Sequence, residues 1–327
     1  MSTVKVRLAA AVARRLPHPE PPSAAHLARL RVEPAWPRLA RVLLGPVPRS
    51  VRLTDRTIPA PAAGSAVTEL RARVYQPEGR REERLPLVIN FHGGGFVFGN
   101  LAQTDWLCGQ LAARAGAVVV SVSYRLAPEH RAPTPFTDCW DATRYLLGHA
   151  ADLGADAGRA SVMGASAGGN LAALVALAHR DRCRADRDVA PMRHQVLIYP
   201  ATDLTLSSPS VLELSEAPLL SKEIMDWFGR RYLPQGLPDS MTSDDPRVSP
   251  LFALDHTDLP PALIFAAGHD PLRDDALRYG QVLDAAGVPN RVVRYPEAIH
   301  GFISLPRMSP EAGSALGEIV TELSGET

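Results

Sequence analysis

Gly164-Ala165-Ser166-Ala167-Gly168 is a G-x-S-x-G pentapeptide. That spacing suits a serine on a sharp turn between strand and helix, with its oxygen clear of the sheet and near the positive end of the helix. Alone, the pentapeptide is a common string, and a small-residue turn that binds phosphate satisfies it as well. A second string, His92-Gly93-Gly94-Gly95-Phe96, has three consecutive glycines. Their backbone N–H groups can point inward without side-chain obstruction, which suits an oxyanion hole. A dinucleotide loop does not fit, because Phe98 stands where the last glycine of G-x-G-x-x-G belongs.

A serine nucleophile needs a base, and the base needs a carboxylate to orient it. Among ten histidines, His300 in Ile299-His300-Gly301-Phe302 lies near the C-terminus. Asp270 follows an apolar run, in Gly268-His269-Asp270-Pro271-Leu272. The order Ser166, Asp270, His300 is the one expected of an α/β-hydrolase. Asp203 is the rival for the carboxylate, whereas Asp274 and Asp275 fall inside the next helix. No metal site is expected, since H-E-x-x-H is absent and Cys108, Cys139 and Cys183 form no CxxC pair. His130 and His149 read as helix caps or solvent-facing residues.

These residues need strand ends to hold them. Residues 85–91 and 117–124 are short, continuous apolar runs, as strands buried on both faces should be. Residues 67–75 alternate instead, with Leu70, Ala72 and Val74 between Arg71 and Arg73. Further strands are expected at 160–164, 194–199, 262–267 and 291–295, with helices at 101–115, 136–150, 170–180, 273–286 and 310–323. The alternation predicts an α/β protein with about eight strands, mostly parallel and flanked by helices.

Two pieces stand outside that pattern. Residues 1–45 read as short amphipathic helices broken by Pro17, Pro19, Pro21 and Pro22, with Ser23 as an N-cap. Residues 204–245 hold Leu212, Leu219, Leu220, Ile224, Met225, Trp227 and Phe228 between proline-rich flanks. Both pieces read as a helical cap. The core is then split into 46–203 and 246–327.

The 327 residues are 46% hydrophobic, within the range of ordinary globular proteins, so disorder is not the dominant state. Lys+Arg and Asp+Glu both number 35, which leaves no basic excess for nucleic acid or an anionic membrane. No run reaches 18 apolar residues, and the apolar stretch at 8–13 is too short for a signal peptide. Isolated cysteines suit a reducing compartment, and the expected location is the cytoplasm. A homodimer is compatible with all of this.

Together the glycine loop, the elbow and the Asp/His pair resemble the hormone-sensitive-lipase family of α/β-hydrolases, in its bacterial carboxylesterase branch. Ser123-Tyr124-Arg125-Leu126-Ala127-Pro128-Glu129, Tyr199-Pro200 and Asp270-Pro271-Leu272-Arg273-Asp274 extend the likeness. The resemblance implies an α/β-hydrolase fold with a helical cap, Ser166 as nucleophile, and an oxyanion hole from Gly94, Gly95 and Ala167. It departs in one place: Ala165 stands where the family has Asp, which weakens the expected support of the elbow. The expected activity is hydrolysis of short- to medium-chain or aryl carboxylic esters without a cofactor. Phe96, Phe98, Trp227 and Phe228 are expected at the substrate. An amidase, lactonase or deacetylase on the same three residues is the alternative reading, and a non-catalytic receptor the remoter one.

Overall fold

The computed structural model describes Arg31 and residues 45–59, 69–79, 84–234 and 240–325. Eight strands make one sheet: β1 (Val51–Pro59), β2 (Glu69–Pro77), β3 (Leu85–Phe91), β4 (Val118–Ser123), β5 (Ala155–Ala165), β6 (His194–Ile198), β7 (Ala262–His269) and β8 (Asn290–Ile299). Their order across the sheet is β1-β2-β4-β3-β5-β6-β7-β8. β1 pairs antiparallel with β2, and β2 with β4; every other pairing is parallel. The six parallel strands therefore open their C-terminal ends along one edge, where α/β sheets place their ligands.

Seven helices are seen among the described residues: α1 (Asp105–Ala115), α2 (Thr134–Gly148), α3 (Ala167–Ala185), α4 (Pro209–Glu213), α5 (Lys222–Tyr232), α6 (Arg273–Ala285) and α7 (Pro310–Ser324). Leu87, Ile89, Val120 and Val162 pack on one sheet face with Ala142 of α2, Leu171 and Val175 of α3, and Leu283 of α6. Val88, Val119, Met163 and Val196 pack on the other face with Leu107 and Leu111 of α1 and Leu316 and Ile319 of α7. The central strands read as unbroken apolar runs because both of their faces are covered.

Several boundaries differ from expectation. β1 is a strand without a sequence period, because only Val51 and Ile58 of its nine residues are buried. The helix expected at 170–180 starts at Ala167, where Gly168 and Gly169 disguise its first turn. The helix expected at 101–115 opens with a 3-10 turn, Leu101–Thr104, capped by the Asn100 side chain, which accepts from Gln103 N at 3.3 Å.

The helices expected within 1–45 lie outside the described residues except at Arg31, which is helical. Its guanidinium donates from Nε to the Val97 carbonyl at 3.0 Å and from Nη1 to Glu129 at 2.8 Å. The other irregular piece leaves the sheet after β6 and returns at β7. It carries α4 and α5 and has a small core of its own: Val211, Leu220 and Met225, closed by Ala201 and Leu272. Ser221 caps α5 by accepting from Ile224 N at 3.3 Å.

Candidate active site

Ser166 sits between β5 and α3 with φ 57° and ψ −120°, a conformation a non-glycine residue adopts only when its surroundings impose it. Two glycines make the turn feasible. A Cβ on Gly168 would lie 2.0 Å from the Phe91 carbonyl oxygen, and one on Gly164 would lie 2.1 Å from that of Gly168. Backbone bonds then pin the serine: Ser166 N donates to Ile198 O at 2.9 Å, and Ser166 O accepts from Asn170 N at 3.1 Å.

The side chain of Asn170 was not foreseen as an anchor. It is fully buried, and its amide donates to Ala201 O and to Val248 O, each at 2.7 Å. It thereby clamps the first turn of α3 to the two segments that flank the insertion. The only sequence signal was its place in Ser-Ala-Gly-Gly-Asn, which says nothing of its partners. Ala165, the departure from the family pattern, packs partly buried against the core on the sheet face of Val88, Val119 and Met163, and the elbow is held by these backbone and Asn170 bonds.

Asp270 and His300 reach the same point from β7 and β8. The His300 Nδ1–H donates to Asp270 Oδ2 at 2.7 Å, and the Ser166 hydroxyl donates to His300 Nε2 at 3.0 Å. A carboxylate can only accept, so this contact selects the tautomer that leaves Nε2 free to take a proton. Asp270 is completely buried, and its second oxygen accepts from Leu272 N at 2.9 Å. Tyr199, with φ 37° at the end of β6, sets its ring 4.8 Å from the His300 ring. Burial drives the Tyr199 hydroxyl far above its ordinary value, so it stays neutral.

The rival carboxylates lie elsewhere. Asp203 accepts from Thr205 N at 2.9 Å, Ser207 Oγ at 3.0 Å and Arg278 at 2.6 Å. Asp274 pairs with Arg273 at 2.8 Å. Asp275 is buried against Ser208, whose hydroxyl donates to it at 2.7 Å.

The glycine loop follows β3 and faces the elbow. Gly94 has φ 123° and Gly95 φ 61°, both in the region that favours glycine. Among the described residues, the N–H groups of Gly94, Gly95 and Ala167 donate to no protein acceptor. His92 anchors the loop from below. It is fully buried, stacks on Tyr124 at 4.4 Å, and accepts at its carbonyl from the Tyr124 hydroxyl at 2.8 Å. Burial pushes the His92 imidazole down to about 4, so the ring is neutral at pH 7. Behind Tyr124, a buried Arg125–Asp138 pair fixes the loop after β4, with Arg125 N donating to Asp138 at 2.9 Å.

The four aromatics divide. Phe98 stacks on Trp227 at 5.5 Å, and Phe228 meets Phe98 edge-on at 5.5 Å. Phe228 also covers Gly95, since a Cβ there would fall 2.4 Å from its ring. These three are part-exposed and border the loop. Phe96 corrects the expectation. At 3% exposure, with its ring stacked on Tyr232 at 3.8 Å, it is used up in joining the loop to the end of α5 and offers no surface to a substrate. His149 caps α2, its Nδ1 lying 2.8 Å from Tyr145 O. No group of three or more His, Cys, Asp or Glu able to hold a metal ion occurs among the described residues. Among these residues no helix is long and apolar enough to cross a membrane.

Residues 88–304 match the family described as alpha/beta hydrolase fold. Esterase LipI of Mycobacterium tuberculosis is 40% identical over 285 residues, 87% of this chain and 85% of its own. The arylesterase of Saccharolobus solfataricus is 32% identical over 256 residues, 78% of this chain and 80% of its own. Among solved structures, the hyperthermophilic esterase of the archaeon Pyrobaculum calidifontis superposes with a TM-score of 0.78 at 35% identity, covering 100% of this chain and 94% of that one. The chain belongs to the α/β-hydrolase-fold family, in its hormone-sensitive-lipase-like branch of carboxylesterases.

Proposed function

We propose that the protein is a serine carboxylester hydrolase acting on short- to medium-chain or aryl esters through an acyl-enzyme on Ser166. The observation that carries the reading is the unbroken hydrogen-bond chain Asp270–His300–Ser166 beside the free N–H groups of the glycine loop. The Ser166 oxygen attacks the ester carbonyl while His300 Nε2 takes its proton, and Asp270 stabilises the imidazolium. The carbonyl oxygen, now an anion, sits among the N–H groups of Gly94, Gly95 and Ala167, at the positive end of α3. Each such donor is worth about 2.7–4 kcal/mol in the transition state.

His300 then hands the proton to the departing alcohol oxygen, and the C–O bond breaks. The acyl group remains on Ser166 until water, deprotonated by the same imidazole, attacks it and restores the serine. No step calls for a cofactor. Phe98, Trp227 and Phe228 give the substrate an apolar wall of limited extent. Relatives that carry the names esterase, carboxylesterase and arylesterase support an ester over an amide.

A fluorophosphonate tests the nucleophile. Wild-type protein should be labelled once, and Ser166→Ala not at all. Labelling that survives in the variant removes Ser166 from its role. A panel of p-nitrophenyl esters of rising chain length, with a p-nitroanilide control, tests the substrate class; faster cleavage of the anilide would favour an amidase.

A further inference from the structure

Leu219 is hard to explain as a folding residue. It follows Pro218 in the turn between α4 and α5, with φ 67° and 43% of its surface exposed. Glycine takes that backbone conformation freely, whereas a branched side chain there is strained. Its neighbour Leu220 is buried in the core of the insertion, whereas Leu219 is not part of that core and leaves 43% of its surface exposed. What it does reach is the edge of the catalytic histidine's loop. Leu219 Cδ1 lies 3.9 Å from where a methyl group on Gly301 would stand, and Gly301 follows His300 directly. Strained residues of this kind gather at functional sites.

The chemistry of the proposed reaction says which part of the substrate comes here. His300 Nε2 protonates the leaving oxygen, so that oxygen must come within hydrogen-bond reach of the ring. The carbonyl oxygen is drawn the other way, to Gly94 and Gly95, where Phe228 and Phe98 stand. The chain attached to the leaving oxygen therefore runs out past His300 and Gly301. We infer that Leu219 is a specificity residue for the alcohol half of the ester, an apolar wall that favours alkyl or aryl alcohols of a few carbons over methanol and over charged alcohols. This rests on the serine-esterase reading above and adds the leaving-group selectivity to it.

The inference separates two series of substrates. The acyl chain leaves the carbonyl carbon away from the leaving oxygen that His300 protonates, so Leu219 should not read it. The kcat/KM ratio of butyl acetate to methyl acetate should fall roughly tenfold in Leu219→Gly, in keeping with what contacts of methylene size contribute in apolar pockets. It should fall as well in Leu219→Asn, which keeps some bulk and tolerates the same φ but is polar. The ratio of methyl butyrate to methyl acetate should stay at its wild-type value in both variants. The Tm of Leu219→Gly should equal or exceed that of the wild type, because its backbone strain is relieved. An unchanged alcohol ratio, or an acyl ratio that moves as far, would overturn the inference. Wild-type protein that cleaves none of these esters would overturn the esterase reading instead.

Discussion

The catalytic floor and the insertion above it are held together in different ways. At the floor, backbone lies on backbone: the elbow leaves no room for a side chain at Gly164 or Gly168, and Asp270 is sealed from solvent. The insertion hangs on a handful of side chains, with Leu212 exposed at 71% and Leu219 at 43%. Strand ends cannot shift without disturbing the whole sheet, so they suit groups that must meet within hydrogen-bond distance. A thin, separately packed layer can change its lining at little cost to the fold. On the proposed reading, reaction chemistry belongs to the first region and substrate choice to the second.

The sharpest way to break that division is to disable each carboxylate in turn. Asp270→Asn should lower kcat by about 10⁴, since the wrong imidazole tautomer then faces Ser166. Asp203→Asn, at the root of the insertion, should lower it by no more than about tenfold, or 1.4 kcal/mol. Steady-state kinetics on a p-nitrophenyl ester, with Tm measured alongside, decides the order. The reverse ranking would place the orienting acid at the root of the insertion and leave Asp270 without that role.

Truncations of buried side chains come next in size. Ile264→Ala, in the middle of β7, should cost about 2–5 kcal/mol of global stability. Met225→Ala removes a comparable side chain from the small core under the insertion. If that core is a separate layer, its loss should raise KM and expose the insertion to proteolysis while the global unfolding midpoint in urea moves less than for Ile264→Ala. Equal shifts in the midpoint would mean that the two regions unfold as one unit.

The same contrast governs what could be read from the sequence. The apolar run 85–91 matches β3 residue for residue because Leu85–Phe91 is buried on both faces and bounded by turn signals. The elbow, the glycine loop and the Asp–His pair stood out because each needs particular residue types at short spacing. β1 left no such mark: its edge position exposes most of its side chains, so no period emerges. Asn170, whose role carries no sequence mark, and Phe96, expected at the substrate, escape the pattern for a different reason. Their roles depend on partners 31 and more residues away, Ala201 and Val248 for the first and Tyr232 for the second. A polar residue in a helix and an aromatic after glycines look alike in sequence whether they anchor, pack or bind.

The seam between the two regions holds an ionisable group, and it supplies the mildest test. Asp275 on α6 is 1% exposed and accepts from Ser208 Oγ at 2.7 Å and from Asp203 N at 3.0 Å. Asp203, also buried, has Arg278 as its cation at 2.6 Å, and the next carboxylate along, Asp274, is matched by Arg273. Asp275 thus shares a single guanidinium with a second acid. Burial raises its carboxyl from the ordinary 3.8 to about 7. A raised acid means that the folded protein keeps its proton while the unfolded chain has lost it, so the stability that Asp275 contributes is full below pH 4, declines as pH rises toward 7, and levels off above. Asp275→Asn keeps the shape and removes the titration. The gap in Tm between variant and wild type should therefore move in the variant's favour from pH 5 to pH 8, by a few degrees at most. Because Ser208 and Asp203 lead into α4, amide protection factors, which divide out the base-catalysed rise of intrinsic exchange, should fall in the wild-type insertion at the higher pH and hold in β7. A pH-independent gap in Tm would show Asp275 ionised throughout, with Arg278 serving both acids and no titrating seam between floor and insertion.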